Sequence, residues 1–205
     1  MNLWIIGAGG HAKIVADSLA DDATYEKIFF YDAYKLSDIS IHFPKSTFVT
    51  SDPPEIQEND TESFIAIGES NIRRKIANKF SSHSFAKLIN SASTISSGSE
   101  ILSGSYIGAG AVININSLIL EHSIVNTNAV VEHDCRVGNF SHIGPGAIIC
   151  GGVKLGNGVF IGANSCVNPG IEIVDHVSIG SGSVVSKDIS EPGVYAGVPV
   201  KKISQ

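Results

Sequence analysis

One periodicity constrains this chain more than any other feature. From Ile95 an aliphatic residue recurs at every sixth position: Ile101, Ile107, Ile113, Ile119, Val125, Val131, Val137, Ile143, Ile149, Leu155, Ile161, Val167, Ile173, Ile179 and Val185. All sixteen are Ile, Leu or Val, with no insertion or deletion, in a chain that is only 43% hydrophobic. A period of six suits neither a 3.6-residue helix nor the two-residue alternation of a simple sheet. It predicts a parallel β-helix in which each hexad supplies one short strand and one corner. Three steps after each aliphatic stands Gly, Asn, Asp or His, the residues that best tolerate positive φ, and only Phe140 breaks that set. Four steps after it the side chain is mostly small, as in Ser105, Ala111, Ser117, Ala129 and Cys135, which marks a second inward position beside a tight corner. Three strands and three corners make a coil of about eighteen residues, and about five coils rise roughly 25 Å at strand spacing.

The glycines locate a boundary. Four of the 21 (Gly7, Gly9, Gly10, Gly68) fall in residues 1–94 and the rest follow. The first part reads as a strand (LWII, 3–6), the turn GAGGHA (7–12) and a helix through Leu19; a second strand, KIFFYD (27–32), ends in Asp32. A third strand, FIAIG (64–68), runs into a helix around residues 71–80. That order predicts half of a doubly wound, Rossmann-like α/β fold. Gly7, Gly9 and Ala12 fit G-x-G-x-x-G/A, and Asp32 sits where such folds bind a ribose hydroxyl. Glycine admits a phosphate to the backbone, and a helix N-terminus adds N–H donors; a tight strand-to-helix turn also wants glycines, and Asp32 reads equally as a solvent residue at a strand end. Fewer than ninety residues suit a mononucleotide or nucleotide-sugar better than NAD. The expected organisation is a nucleotide-sugar-binding domain at 1–82, a linker with possible helix turns at 83–94, the β-helix at 95–190 and a tail at 191–205. The stretch 33–60, with Pro44, Pro53 and Pro54, is poorly patterned.

Composition excludes several classes. With 14 Lys+Arg against 20 Asp+Glu the formal charge is -6, which argues against nucleic-acid partners and acidic membranes. Three cysteines without a CxxC pair signal neither a disulfide framework nor a thiolate zinc site. The longest apolar runs have a strand's length, short of a membrane span, and Gly7, Gly9 and Gly10 interrupt any signal-peptide core. The expectation is a soluble, cytoplasmic protein without membrane insertion.

The histidines carry the chemistry. His42 and His83 are expected at the surface, and His122 and His176 as corner residues. His11 follows the glycine turn, at a helix start where it can meet a phosphate. His133 and His142 stand at outward positions of the repeat. His133 lies between Glu132 and Asp134, although only ten of the 96 residues in 95–190 are charged. A carboxylate beside an imidazole fixes its tautomer and stabilises its protonated form, as a general base requires; a solvated corner patch is the plain alternative. A metal site would need a third ligand from elsewhere.

The hexads IGAGAV (107–112), IGPGAI (143–148), LGNGVF (155–160) and IGSGSV (179–184) resemble those of left-handed β-helix hexapeptide-repeat acyltransferases, and the handedness expected here comes from that resemblance. The GAGGH turn, the FFYD strand, the FIAIG segment, the run 125–170 and the tail GVYAGVPVKKI (193–203) together resemble one branch of them. That branch comprises bacillosamine-pathway N-acetyltransferases and sialic acid O-acetyltransferases. The resemblance implies His133 as general base assisted by Asp134, which is one methylene shorter than the glutamate also found there. It implies acetyl-CoA contacts at His142, Ala163, Gly180, Ser181 and Lys201, with Ser181 replacing a frequent second glycine. It also implies contacts of Gly9, Gly10, His11, Asp32, Gly68 and Asn71 with a UDP-sugar, Asn71 departing from a family Glu. The implied protein is a homotrimer without a metal, transferring acetyl from acetyl-CoA to UDP-4-amino-4,6-dideoxy-N-acetylglucosamine for bacterial surface glycans. Cys135, Cys150 and Cys166 have no adjacent base and are not expected as nucleophiles. The rivals are a sugar O-acetyltransferase, a trimeric zinc carbonic anhydrase-like protein using His133 and His142, and a non-catalytic nucleotide-sugar binder.

Overall fold

A computed structural model describes residues 1–20, 23–32, 46–52 and 60–204. The chain divides into two units, Met1–Leu88 and Ile89–Gln205. In the first, the apolar runs become parallel strands β1 (Asn2–Ile6), β2 (Lys27–Tyr31), β3 (Ser46–Thr50) and β4 (Thr61–Ile65), ordered β3-β2-β1-β4. Helix α1 (Gly10–Asp17) follows β1 and buries Ala12, Val15 and Ala16, while α2 (Ser70–Lys79) follows β4. Trp4 and Phe29, partners across β1 and β2, stack with ring centroids 4.8 Å apart. β3 was not legible in the connection between the second and third expected strands, where prolines and polar residues surround a five-residue run without alternation. His42, Pro44, Pro53 and Pro54 lie outside the described residues. A bridge from Ser63 to Phe85 adds one more parallel contact beside β4. His83, expected at the surface, is instead half-buried, with Nδ1 2.8 Å from the hydroxyl of buried Ser63 and its ring edge-on to Phe80.

The second unit is a parallel β-helix. Two-residue strands pair in steps of eighteen, as in Leu118↔Arg136↔Lys154↔Glu172, and form three parallel faces. The aliphatic positions from Ile107 to Val185 are at most 3% exposed and make one continuous interior. The second inward position is also buried, and its hydroxyls are satisfied: Ser105, Ser117, Ser123, Ser141 and Ser165 donate to the carbonyls of Leu120, Glu132, Gly138, Gly156 and Gly180 at 2.6–2.9 Å. A buried hydroxyl without a partner would be costly, so the serines are tolerated because each coil offers a carbonyl at the same step. Corner residues from Gly104 to Gly182 adopt positive φ, including Asn116, His122, Asn128, Asp134, Phe140, Asn164 and His176. Phe140, the exception to the corner composition, has φ 59° and stacks on His122, with centroids 5.0 Å apart and planes 4° from parallel.

The repeat frame extends one hexad before Ile95, because Ile89 belongs to a strand (Leu88–Ile89) and Asn90 N donates to Ile107 O at 2.9 Å. Residues 88–95 thus carry two short strands where the sequence suggested a linker with helix turns. The tail forms an antiparallel hairpin, Gly193–Gly197 with Val200–Ser204, added to the end of one face. Among the described residues no helix is long and apolar enough to cross a membrane.

Candidate active site

The three faces differ in what they present outward. One strand ladder shows Val112, Val130, Ile148, Cys166 and Val184, with Ile148 43% exposed. The next shows Glu100, Leu118, Arg136, Lys154 and Glu172. The third, the eight-stranded face, carries His142 and Phe160 in register.

His133 and Asp134 lie on the corner between the apolar and charged faces, since they follow Val130–Val131 and precede Arg136–Val137. Consecutive side chains of an extended strand point to opposite sides. Asp134 instead has φ 60°, and this turn brings the two side chains together. Asp134 Oδ2 lies 2.8 Å from His133 Nδ1, so the shorter acid reaches the ring. Its second oxygen accepts from Asn116 Nδ2 at 3.0 Å. The bond to His133, and then that from Asn116, hold the Asp134 carboxyl below its ordinary range. An ionised carboxylate only accepts, so Nδ1 carries a proton and the neutral ring keeps its lone pair on Nε2. Both side chains remain accessible, at 58% and 57% exposure. Beneath the ring lies Gly151, where a Cβ would stand 2.6 Å from His133 Cε1 and Nε2.

His142 sits on the eight-stranded face, its ring edge-on to Phe160 at 5.4 Å. Asn126 Oδ1 accepts the Thr127 N–H at 2.8 Å, so its Nδ2 is the donor facing His142 Nε2 at 3.1 Å. The proton of neutral His142 is therefore on Nδ1. Ala163, Gly180 and Ser181 stack on the corner after this face, where Gly182 N donates to Ala163 O at 2.8 Å. Lys201 is exposed on the tail hairpin. The structure gathers the coenzyme candidates Ala163, Gly180 and Ser181 along one edge, with His142 on the strand leading to it, and places His133 with Asp134 on another. The apolar face lies between the two edges. Among the described residues no group of three His, Cys, Asp or Glu side chains could hold a metal. Cys135 occupies a serine position of the interior, with Sγ 3.1 Å from Cys150 O, and burial raises its thiol. Burial and the neighbouring Cys166 push the Cys150 thiol up to about 11, so both thiols are poor nucleophiles at neutral pH.

In the first unit, Gly7, Asp32 and Gly68 follow the carboxyl ends of β1, β2 and β4. β1 lies between β2 and β4, where the strand order switches and doubly wound folds bind ligands. Gly7 has φ 107°, and a Cβ there would stand 2.9 Å from Ile67 Cγ1. A Cβ at Gly9 or Gly10 would meet nothing within 4 Å, so the turn backbone is open to a ligand there. Asp32 Oδ2 accepts the Ala8 N–H at 2.9 Å and braces the turn. His11 lies in the first turn of α1, half-buried.

Sequence reasoning missed the residues around Asn71. Glu69 caps α2, accepting from the N–H groups of Asn71 and Ile72 at 3.0 and 2.6 Å. Burial alone would raise its carboxyl, but these bonds outweigh it and hold the group below its ordinary range. Asn71 Oδ1 accepts from Arg74, while buried Arg73 donates to the carbonyls of Ile67 and Gly68 at 2.7 and 3.0 Å. The signal available for Glu69 was an acidic residue just before a helical run. For Asn116 and Gly151 it was their separation of one coil from Asp134 and His133.

Residues 2–80 match the family model described as the PglD N-terminal domain, and residues 152–187 match the bacterial transferase hexapeptide (six repeats). The chain is 31% identical to the acetyltransferase domain of PglB from Neisseria gonorrhoeae, solved in complex with acetyl coenzyme A; the match covers 98% of each chain with a TM-score of 0.87. It is 32% identical to PerB from Caulobacter crescentus, solved in complex with CoA and GDP-perosamine, over 100% of this chain and 98% of that one, TM-score 0.84. WeeI from Acinetobacter baumannii, at 18% identity, covers 99% of this chain and 100% of its own with a TM-score of 0.75, and shares the fold. The β-helix is thus the left-handed one of hexapeptide-repeat acetyltransferases.

Proposed function

Because the chain belongs to the hexapeptide-repeat sugar acetyltransferases, we propose that it transfers acetyl from acetyl-CoA to the amine of a nucleotide-linked amino sugar, with His133 as the general base. The observation that carries this reading is the His133–Asp134 pair on an accessible corner, 2.8 Å apart, with the lone pair of the neutral ring on Nε2. His133 Nε2 takes a proton from the attacking amine as the new C–N bond forms at the thioester carbonyl. When the C–S bond breaks, the imidazolium returns that proton to the departing thiolate. Asp134 stays ionised and stabilises the imidazolium between the two transfers.

The proposed substrate is UDP-4-amino-4,6-dideoxy-N-acetylglucosamine, giving the diacetamido sugar for bacterial surface glycans. Gly9, Gly10 and His11 supply the phosphate turn, Asp32 the ribose acceptor, and Gly68 and Asn71 line the same sheet end. The relative solved with GDP-perosamine makes the nucleobase a separate question, and the assay addresses it. A homotrimer completes the site: the apolar ladder of Val112, Val130, Ile148 and Val184 is the surface on which a second copy packs. That packing brings one chain's His133 edge to another's coenzyme edge at His142, Ala163, Gly180, Ser181 and Lys201.

The test is release of free CoA thiol across UDP-amino sugars, GDP-perosamine and free sialic acid. The UDP-4-amino sugar is expected to give the highest kcat/KM. Preference for sialic acid would replace this reading with O-acetyl transfer. His133→Ala should lower turnover by roughly 100-fold or more, the range for a lost general base, while nucleotide-sugar binding persists. At acetyl-CoA concentrations well below KM of the His142→Ala variant, mixing His133→Ala chains with His142→Ala chains should restore part of the activity, and full activity of a monomer would refute the shared site.

A further inference from the structure

The two acids that flank His133 are each held by an amide from the preceding coil. Asn114 Nδ2 donates to Glu132 Oε2 at 3.0 Å, and Asn116 Nδ2 donates to Asp134 Oδ1 at 3.0 Å. The strands before these corners are hydrogen-bonded neighbours, Val112↔Val130 and Ile113↔Val131. The braces therefore stand on fixed backbone rather than on a free loop. Asn116 has φ 61° and Asp134 φ 60°, so the two corners repeat one conformation and their side chains align.

We propose that Asn116, supported by Asn114, is a positioning residue of the acetyl-transfer site: it fixes one oxygen of Asp134 so that the other stays on His133 Nδ1. The proposal rests on the reading of His133 as the base. An exposed aspartate has two torsions to order and water competing for both oxygens. Without a second anchor the carboxylate divides its time between His133 and solvent, and the imidazole loses both its orientation and its tautomer. The Asn116 amide removes that freedom on the side away from the ring. Asn114 does the same for Glu132, which keeps the second acid off the His133 ring and leaves Asp134 as its partner.

Asn116→Gly gives a selective test, because glycine adopts the left-handed conformation of this corner without strain and the fold should persist. The variant is expected to melt within about 2 °C of the parent. Its kcat should fall about tenfold, the effect of losing one hydrogen bond to a charged group, while KM for acetyl-CoA stays unchanged. Asn116→Asp, which keeps the shape and replaces the donor by an acceptor, should lose more. ¹⁵N-histidine NMR of the unliganded protein, with His133 assigned by comparison with His133→Ala, reports the ring directly. The parent should show a single Nδ1–H tautomer and Asn116→Gly a mixture, a change that a merely structural role would not produce. Full kcat and an unchanged His133 tautomer in Asn116→Gly, with His133→Ala inactive, would overturn the proposal alone. Turnover surviving in His133→Ala would remove the base, and the proposal with it.

Discussion

Replacing Gly151 by alanine moves His133, the proposed base, while leaving its imidazole and the Asp134 carboxylate in the chain. The backbone at 151 cannot retreat, because Gly152 N donates to His133 O and Gly170 N donates to Gly151 O, both at 2.9 Å. A Cβ there would stand 2.6 Å from His133 Cε1 and Nε2. Ordinary carbon contact is about 3.5–4.0 Å, so the imidazole must swing outward by about 1 Å. The ring is exposed and bonded to Asp134 through Nδ1, so the shift strains that contact while the coil itself stays in place. The φ of Gly151 is not left-handed, and a compatible Gly→Ala change adds about 0.4–1 kcal/mol of stability by restricting the unfolded chain. A 1 Å misplacement of a reacting group costs about 100-fold, or about 2.7 kcal/mol of transition-state stabilisation. The expected variant is therefore at least as stable as the parent and about 100-fold slower in CoA release, with nucleotide-sugar affinity unchanged. Activity within twofold of the parent, in a protein with an unshifted melt, would refute either the place of the ring over Gly151 or its role as base.

His142→Ala should raise KM for acetyl-CoA with a smaller change in kcat; an unchanged KM would remove His142 from the coenzyme site. Asp32→Asn keeps an acceptor for the Ala8 N–H but loses the charge, so calorimetry should show weaker UDP-sugar binding and unaltered acetyl-CoA binding. Burial lowers the His83 imidazole from its ordinary value near 6.5. The folded state thus prefers neutral His83, and its contribution is complete above pH 6.5 and declines as pH falls through the folded-state value. The melting temperature should fall between pH 7 and pH 5, and less so in His83→Gln; equal slopes would show that His83 is not the titrating group.

The repeat carried most of the fold openly. An interior aliphatic every sixth residue and a turn former three residues later can satisfy backbone and core only by coiling, so strands, corners and faces follow from spacing alone. His133 was legible because an outward histidine between two acids stands out in a sparsely charged repeat. The contacts across coils were not legible in the same way. Whether Asn116 meets Asp134, or His133 lies over Gly151, depends on stacking at one-coil separation and on the rotamers each corner permits. Neither appears in any window read along the chain. β3, the half-buried His83 and the tail hairpin were hidden for a related reason. Each is held by partners far away in sequence, Ser63 for His83 and the last coil for Gly193–Gly197, and none carries a local period of its own. Local chemistry determined the coil and nominated His133 as a candidate base. Only tertiary packing decided which neighbours hold the His133 ring in place, because hydrogen bonds and steric contacts act between atoms adjacent in space, whatever their distance along the chain.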